Sequence, residues 1–214
     1  KACERIGFKS TLHHLSSDTS EIELLKVIKK LNEDDSIDGF IVQLPLPNHI
    51  DDHKITLAIS PKKDVDGFHP ENIGKMALGL PTFLPATPNG IMELLKRYEI
   101  PTEGKNTVVI GRSNIVGTPM SILMSRKSNP GNSTVTLGHS RTKNLEQICK
   151  QADILIVAIG IPDFVTSNMV KPNAVVIDVG IHRIEDSSKK NGFRLIGDEN
   201  SVSYTHLRAH ETDS

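Results

Sequence analysis

The chain has 214 residues, 37% hydrophobic and 24% charged, a balance that fits a soluble globular fold and excludes a membrane span, a collagen-like repeat and wholesale disorder. Its 25 Lys and Arg against 26 Asp and Glu leave a net charge of −1 and a pI near 6.8, so no electrostatic footprint for nucleic acid or an anionic membrane is present. Trp is absent and Tyr occurs twice, which leaves no aromatic platform for stacked bases.

The opening KACERIGF reads as the last turn of a polar helix entering a strand, without the apolar segment or cleavage site of a signal peptide. Phe8–Leu15 reads as a short strand. Ser20 then stands as an N-cap, with Glu21 and Glu23 in the first turn of a helix whose apolar face is Ile22, Leu25, Ile28 and Leu31. Gly39–Leu46 is an apolar run suited to a buried strand and ended by prolines, Asp51–Ile59 a short helix, and Pro61–Gly67 a charged loop. A second amphipathic helix follows Pro88 and runs to about Tyr98, and Ile100–Lys105 reads as a linker.

From Thr107 the texture changes. The strands Thr107–Ile110, Ile154–Ala158 and Ala174–Val179, with a weaker one at Ser133–Leu137, alternate with helices at Thr118–Ser125 and Leu145–Gln151. Continuous apolar strands alternating with helices predict a parallel sheet covered on both faces. The expected organisation is α/β in two domains, residues 1–105 and a Rossmann-like 106–200. Residues 201–214 have poor periodicity. Val202–Thr212 resembles a translated sequencing-library adapter, so this stretch reads as a non-native tail.

TVVIGRSNIVGTPM is a strand, a Gly-rich turn and a helix start. Gly111 suits the tight turn, Gly117 a close helix–strand approach and Pro119 the first helical turn, whose unpaired amides can hold a pyrophosphate. A plain βα turn of a flavodoxin-like protein would carry the same residues. The next strand end offers Ser140, Arg141 and Thr142 with no acid, and Arg112 sits in the loop itself. This pattern fits the 2′-phosphate of NADP better than the free ribose of NAD.

Other motifs are weaker. The loop Lys63–Gly67 fails as a calcium site, because the third ligand position is Phe68 and the twelfth residue is Lys75. His13 and His14 would point to opposite faces of a strand and cannot chelate one metal. Cys3 and Cys149 lie far apart without ligand spacing and read as free thiols in a reducing cytoplasm. No metal is expected. Gln43, in an apolar run, either satisfies a neighbouring backbone group or faces a ligand.

VQLPLP, KKDVDGFHPENIGK, PATPNGI, VVIGRSNIVGTPM, GHSRT, DILIVAIGIPDF and VVIDVGI occur in this order. Together they resemble the bifunctional methylenetetrahydrofolate dehydrogenase/methenyltetrahydrofolate cyclohydrolase family over about Lys1 to Asp198. The resemblance implies two α/β domains with a substrate cleft between them, a homodimer, NADP and tetrahydrofolate substrates. It makes Asp66 the carboxylate that grips the pterin and Gln43 the partner of a catalytic lysine. Leu44, Pro45 and Pro88 join them around the substrate, Pro88 and the PATPNG turn lining the hinge. Gly111, Arg112, Ser113 and Gly117 form the dinucleotide loop, Ser140 flanks the 2′-phosphate, and Ile181 offers its backbone to the nicotinamide.

Two departures count. The family's catalytic lysine and tyrosine precede the position of Lys1, and its Pro-Gly-rich folate segment follows Gly197-Asp198. The resemblance therefore implies no turnover by this stretch alone. The competing expectations are another two-domain NADP dehydrogenase of the shikimate type and a non-catalytic nucleotide-binding remnant.

Overall fold

The computed structural model describes residues 2–186, 188, 191–199 and 206–208. The chain divides into two compact units, Lys1–Lys63 and Asp64–Ser214.

In the first unit, α1 (Ala2–Arg5) is a single turn, and α2 (Glu21–Glu33) and α3 (Asp52–Ala58) pack together. Ser20 starts α2 as the sequence predicts. Its hydroxyl accepts the Glu23 N–H while the Glu23 carboxylate accepts the Ser20 N–H at 2.9 Å, a reciprocal cap that satisfies two orphan donors. Lys63 closes the other end, its ammonium donating to the carbonyls of Leu31 at 3.0 Å and Asp34 at 2.7 Å. Asn32 ties the end of α2 to that of α3, donating to the Ala58 carbonyl and accepting from the Ser60 N–H.

The core of this unit is Leu24, Ile28, Ile50, Ile55 and Ile59, with Phe40, Val42 and Leu46 against it. The inward face of α2 is thus Leu24 and Ile28, and Ile22, expected inside, is 66% exposed. Neither predicted strand forms. Phe8–Leu15 is irregular and exposed, with Leu12 87% exposed. Gly39–Leu46 keeps the strand alternation, Phe40, Val42 and Leu46 inward and Ile41 and Gln43 outward, but only the Phe40 N–H finds a backbone partner, the Lys63 carbonyl at 3.0 Å. An apolar run becomes a strand only where a neighbour supplies the ladder.

The second unit opens with α4 (Pro70–Leu78) and α5 (Ala86–Arg97) and continues through β1 (Asn106–Ile110), α6 (Gly117–Ser125), β2 (Thr134–Gly138), α7 (Leu145–Cys149), β3 (Ile154–Val157) and β4 (Val175–Asp178). The hairpin β5 (His182–Glu185) and β6 (Phe193–Ile196) forms a separate antiparallel pair, and β7 (His206–Arg208) completes the main sheet. That sheet is wholly parallel, in the order β2-β1-β3-β4-β7.

Side chains alternate across it. Val109, Ile154, Ile156 and Ile177 pack with Met76, Ile91, Leu95, Met120, Leu123 and Met124 on one face. Val108, Ile110, Leu155, Val157 and Val176 pack with Cys149, Ala152, Val165, Val170 and Ala174 on the other. Each fully buried Val, Leu, Ile or Met among them contributes about 1.5–3 kcal/mol. The two-faced cover expected from the apolar strands is present.

Four differences from the sequence expectations have physical causes. The unit begins at Asp64 rather than near Lys105, because α4 and α5 supply Met76, Ile91 and Leu95, all fully buried, to the core of the sheet. The segment read as a linker is bonded in place: Thr102 accepts the Gly131 N–H at 2.8 Å with its hydroxyl and the Ser133 hydroxyl at 2.8 Å with its carbonyl. The PATPNG segment is the first turn of α5 rather than a turn before it, since Pro88 sits where a helix needs no N–H donor. Finally, His206–Arg208, inside the segment read as a tail, lies parallel to β4, whose open edge accepts any backbone of suitable register. The rest of residues 201–214, and the reading placed on it, lies outside the described residues.

Candidate active site

All five strands of the main sheet point the same way, so their carboxyl ends share one edge, where open α/β sheets bind ligands. The chain order along the sheet reverses between β1 and β3, and Gly111 leaves β1 at that point. Its φ is +121°, and a Cβ there would strike the Ala158 carbonyl at the exit of β3. A Cβ on Gly117 would strike the Gly111 carbonyl. The two glycines therefore shut helix α6 against the strand end, leaving Arg112 and Ser113 exposed above them. Both positions admit only backbone, the close helix–strand approach that a dinucleotide-binding turn requires.

The expectation of free first-turn amides is corrected at three positions. The Ser113 hydroxyl accepts the Val116 N–H at 3.1 Å and the Gly117 N–H at 3.4 Å, and its carbonyl accepts the Thr118 N–H at 3.0 Å. Ser113 is thus the residue that shapes the loop.

The neighbouring strand brings the second half. Ile110 of β1 pairs in register with Gly138 of β2, and the Gly111 N–H donates to the Gly138 carbonyl at 2.9 Å. Arg112 and Ser140 each stand two residues beyond that register pair, both exposed, on one corner of the edge. The turn carrying Ser140 and Arg141 is closed by Thr142, whose hydroxyl accepts the His139 N–H at 2.9 Å. Thr142 is therefore a turn former, and Arg112, Ser140 and Arg141 remain as groups open to an anion.

Asp66 lies in a pinned turn. The buried Asp64 carboxylate accepts the His69 N–H and the Asn72 side-chain amide, both at 2.8 Å, and Thr82 donates to Asn72 at 2.7 Å. Behind the turn, a Cβ on Gly67 would lie 2.7–2.9 Å from the backbone of Phe83–Pro85. Asp66 itself is half-buried. Burial first, and the adjacent Asp64 carboxylate second, hold its carboxyl above the ordinary aspartate range. Pro88 is buried in the first turn of α5.

Gln43, Leu44 and Pro45 belong to the first unit. Gln43 is exposed, and its amide donates to the Leu44 carbonyl at 3.0 Å, so the local backbone takes one of its hydrogen bonds. Ile181, beyond β4, is 53% exposed at the same sheet edge as the glycine cradle.

One cluster at that edge escaped the sequence reading. Asp178, Asp198 and His182 form a hydrogen-bonded group around Ile181, with both aspartates buried. The available signal was two acids, each within two residues of a glycine, in VVIDVGI and in Ile196-Gly197-Asp198. Cys149 is buried, and desolvation pushes its thiol up to about 11, which makes it a packing residue rather than a nucleophile.

Residues 1–66 match the family described as tetrahydrofolate dehydrogenase/cyclohydrolase, catalytic domain, and residues 85–210 match its NAD(P)-binding domain. The bifunctional protein FolD of Cytophaga hutchinsonii is 65% identical over 198 residues, covering 92% of this chain and 68% of that protein. The bifunctional enzyme FolD-methylenetetrahydrofolate dehydrogenase/cyclohydrolase of Campylobacter jejuni superposes with a TM-score of 0.84 at 48% identity, covering 93% of this chain and 67% of the other. The Trypanosoma brucei N5,N10-methylenetetrahydrofolate dehydrogenase-cyclohydrolase, solved with NADP cofactor and inhibitor, gives 0.85 at 35% identity, with coverage of 92% and 67%. The chain spans about two thirds of the length of each.

Proposed function

This chain belongs to the tetrahydrofolate dehydrogenase/cyclohydrolase family, and we infer that its complete gene product oxidises 5,10-methylenetetrahydrofolate with NADP and hydrolyses the resulting 5,10-methenyltetrahydrofolate to 10-formyltetrahydrofolate. The observation that carries this reading is the joint match of residues 1–66 and 85–210 to the two domains of one bifunctional enzyme. Neither the shikimate-type dehydrogenase nor the non-catalytic remnant is supported against it.

When bound, NADP would supply the hydride acceptor for the methylene carbon. The residues of this chain would hold the reactants. The Gly111–Gly117 cradle would seat the pyrophosphate, with Arg112 and Ser140 set as a cation and a hydroxyl for the 2′-phosphate. The main chain at Ile181 would meet the nicotinamide. Asp66, ionised, would accept pterin N–H donors and fix the ring for both reactions, while Gln43, Leu44, Pro45 and Pro88 would complete the folate contacts. Gln43 would also set the position and basicity of the lysine that assists proton movement.

No helix among the described residues is long and apolar enough to cross a membrane. The resemblance of the motifs to the family supports a cytoplasmic homodimer.

The assignment is tested with Arg112→Ala in the complete gene product. Losing one charge-assisted contact, worth about 1.5–3 kcal/mol, should weaken NADP about ten- to a hundredfold and leave NAD nearly unchanged. Equal loss for both cofactors would remove Arg112 from the 2′-phosphate. Wild-type protein that neither reduces NADP with methylenetetrahydrofolate nor speeds methenyltetrahydrofolate hydrolysis would overturn the reading as a whole.

A further inference from the structure

Three chain segments meet at one buried carboxylate on the carboxyl edge of the sheet. Asp198, fully buried, accepts the N–H groups of Ile159 and Gly160, each at 2.8 Å, on one oxygen. Its other oxygen lies 2.6 Å from His182 Nε2. Its backbone N–H donates to Asp178 at 3.0 Å, on the same oxygen that accepts the Gly180 N–H at 2.9 Å, and the second Asp178 oxygen takes the Glu199 N–H at 3.2 Å. The Asp198 carbonyl accepts the Val165 N–H at 3.1 Å.

This group joins the exit of β3 to the exit of β4 and to the start of β5. The fit leaves no slack: a Cβ on Gly180 would collide with the Asp198 carboxylate, and one on Gly197 with that of Asp178. Burying two carboxylates is costly, and an apolar side chain in place of Asp198 would strand the Ile159 and Gly160 amides without partners. The cluster holds chain segments in register in a way that apolar packing cannot. Between its anchors sits Ile181. The Gly180 N–H before it and the His182 ring after it are both bonded, while its own side chain stays open.

We propose that Asp198 is the positioning residue of the nicotinamide half of the dinucleotide site: its carboxylate, seated on the Ile159 and Gly160 amides and the His182 ring, fixes the main chain at Ile181. The inference rests on the dinucleotide reading above and deepens it. The adenosine half of the cofactor is assigned to the β1 and β2 exits; of the cluster's anchors only Ile159 comes near them, its nitrogen 3.3 Å from where a Cβ on Gly111 would lie, and no hydrogen bond of the cluster reaches Arg112 or Ser140. Asp198 should therefore affect the two halves unequally.

The experiment is calorimetric titration of the complete gene product with NADP and with adenosine 2′,5′-bisphosphate, which carries the adenosine half and lacks the nicotinamide. Asp198→Asn keeps the volume but can no longer accept on both sides at once. It should weaken NADP about tenfold or more, leave adenosine 2′,5′-bisphosphate unchanged, and speed amide exchange at Ile159 and Gly160. His182→Ala removes one arm and spares the two amide bonds. It should show a smaller loss with the same selectivity, and it decides the question should Asp198→Asn fail to fold. Equal loss for both ligands, or no loss for either, overturns the inference and leaves the dinucleotide site standing. Wild-type protein that binds neither ligand overturns the dinucleotide reading first, and the inference with it.

Discussion

In the folate-binding role proposed for it, Asp66 would set stability against function. Its folded-state carboxyl titrates above the ordinary aspartate range, because burial and the Asp64 charge disfavour the anion. For an acid whose folded value is raised, the stabilising contribution is complete below the unfolded value and is lost as pH rises through the folded one. At neutral pH the ionised Asp66 is therefore a small net burden on the fold. Asp66→Asn, a neutral isostere, should raise the denaturant midpoint at pH 7 while abolishing folate binding, and with it both activities. A lower midpoint, or one activity surviving without the other, would contradict the role. The acid limb of folate binding should also fall at a higher pH than an unperturbed aspartate would give.

At the scale of elements, the turn between β1 and α6 depends on two glycines for a reason of space. The atom that would meet a Cβ on Gly117 is the Gly111 carbonyl, which belongs to the strand exit and cannot swing aside. Gly138 supplies an internal comparison. A Cβ there would lie 2.9 Å from Leu145 Cδ1 and 3.0 Å from Ile110 Cδ1, both tips of side chains able to move. Gly117→Ala should cost about 1–3 kcal/mol in denaturant unfolding and lose NADP binding, and Gly138→Ala should be milder in both. Equal effects would mean that the close approach at Gly117 has no special weight.

For the molecule as a whole, a net charge of −1 sets its long-range behaviour. Arg112 and Arg141, exposed at the exits of neighbouring strands and proposed to meet an anion, stand in a field that is nearly neutral overall. The protein should bind nucleotides without retention on heparin at physiological salt. Retention there would point to a basic surface larger than the dinucleotide corner.

The order of the elements in the second unit was legible because apolar strands announce themselves. Val108–Ile110, Ile154–Val157 and Val175–Ile177 are buried on both faces, so their sequence is continuous and apolar whatever lies above them. The Ser20 cap was legible for a similar reason, since both partners of its hydrogen bonds lie within four residues. The helix α4 has no counterpart in the sequence reading although Pro70 stands at its first turn and Gly79 at its end in the left-handed conformation, because Gly74 interrupts its apolar pattern.

The sequence by itself determined the parallel sheet, the glycine turn and the residues beside it, because each depends on local chemistry: burial on both faces, a backbone without Cβ, a cation where an acid would stand. Only the tertiary structure decided the rest. Gly39–Leu46 lacks a ladder because pairing requires a partner that the pattern cannot name. The second unit starts at Asp64 because Met76, Ile91 and Leu95 find their neighbours beyond residue 108. The cluster at Asp178, His182 and Asp198 exists only once a strand exit and a hairpin, up to 39 residues apart in sequence, are folded onto one edge. Contacts of that separation are set by the fold and leave no periodic trace in the chain.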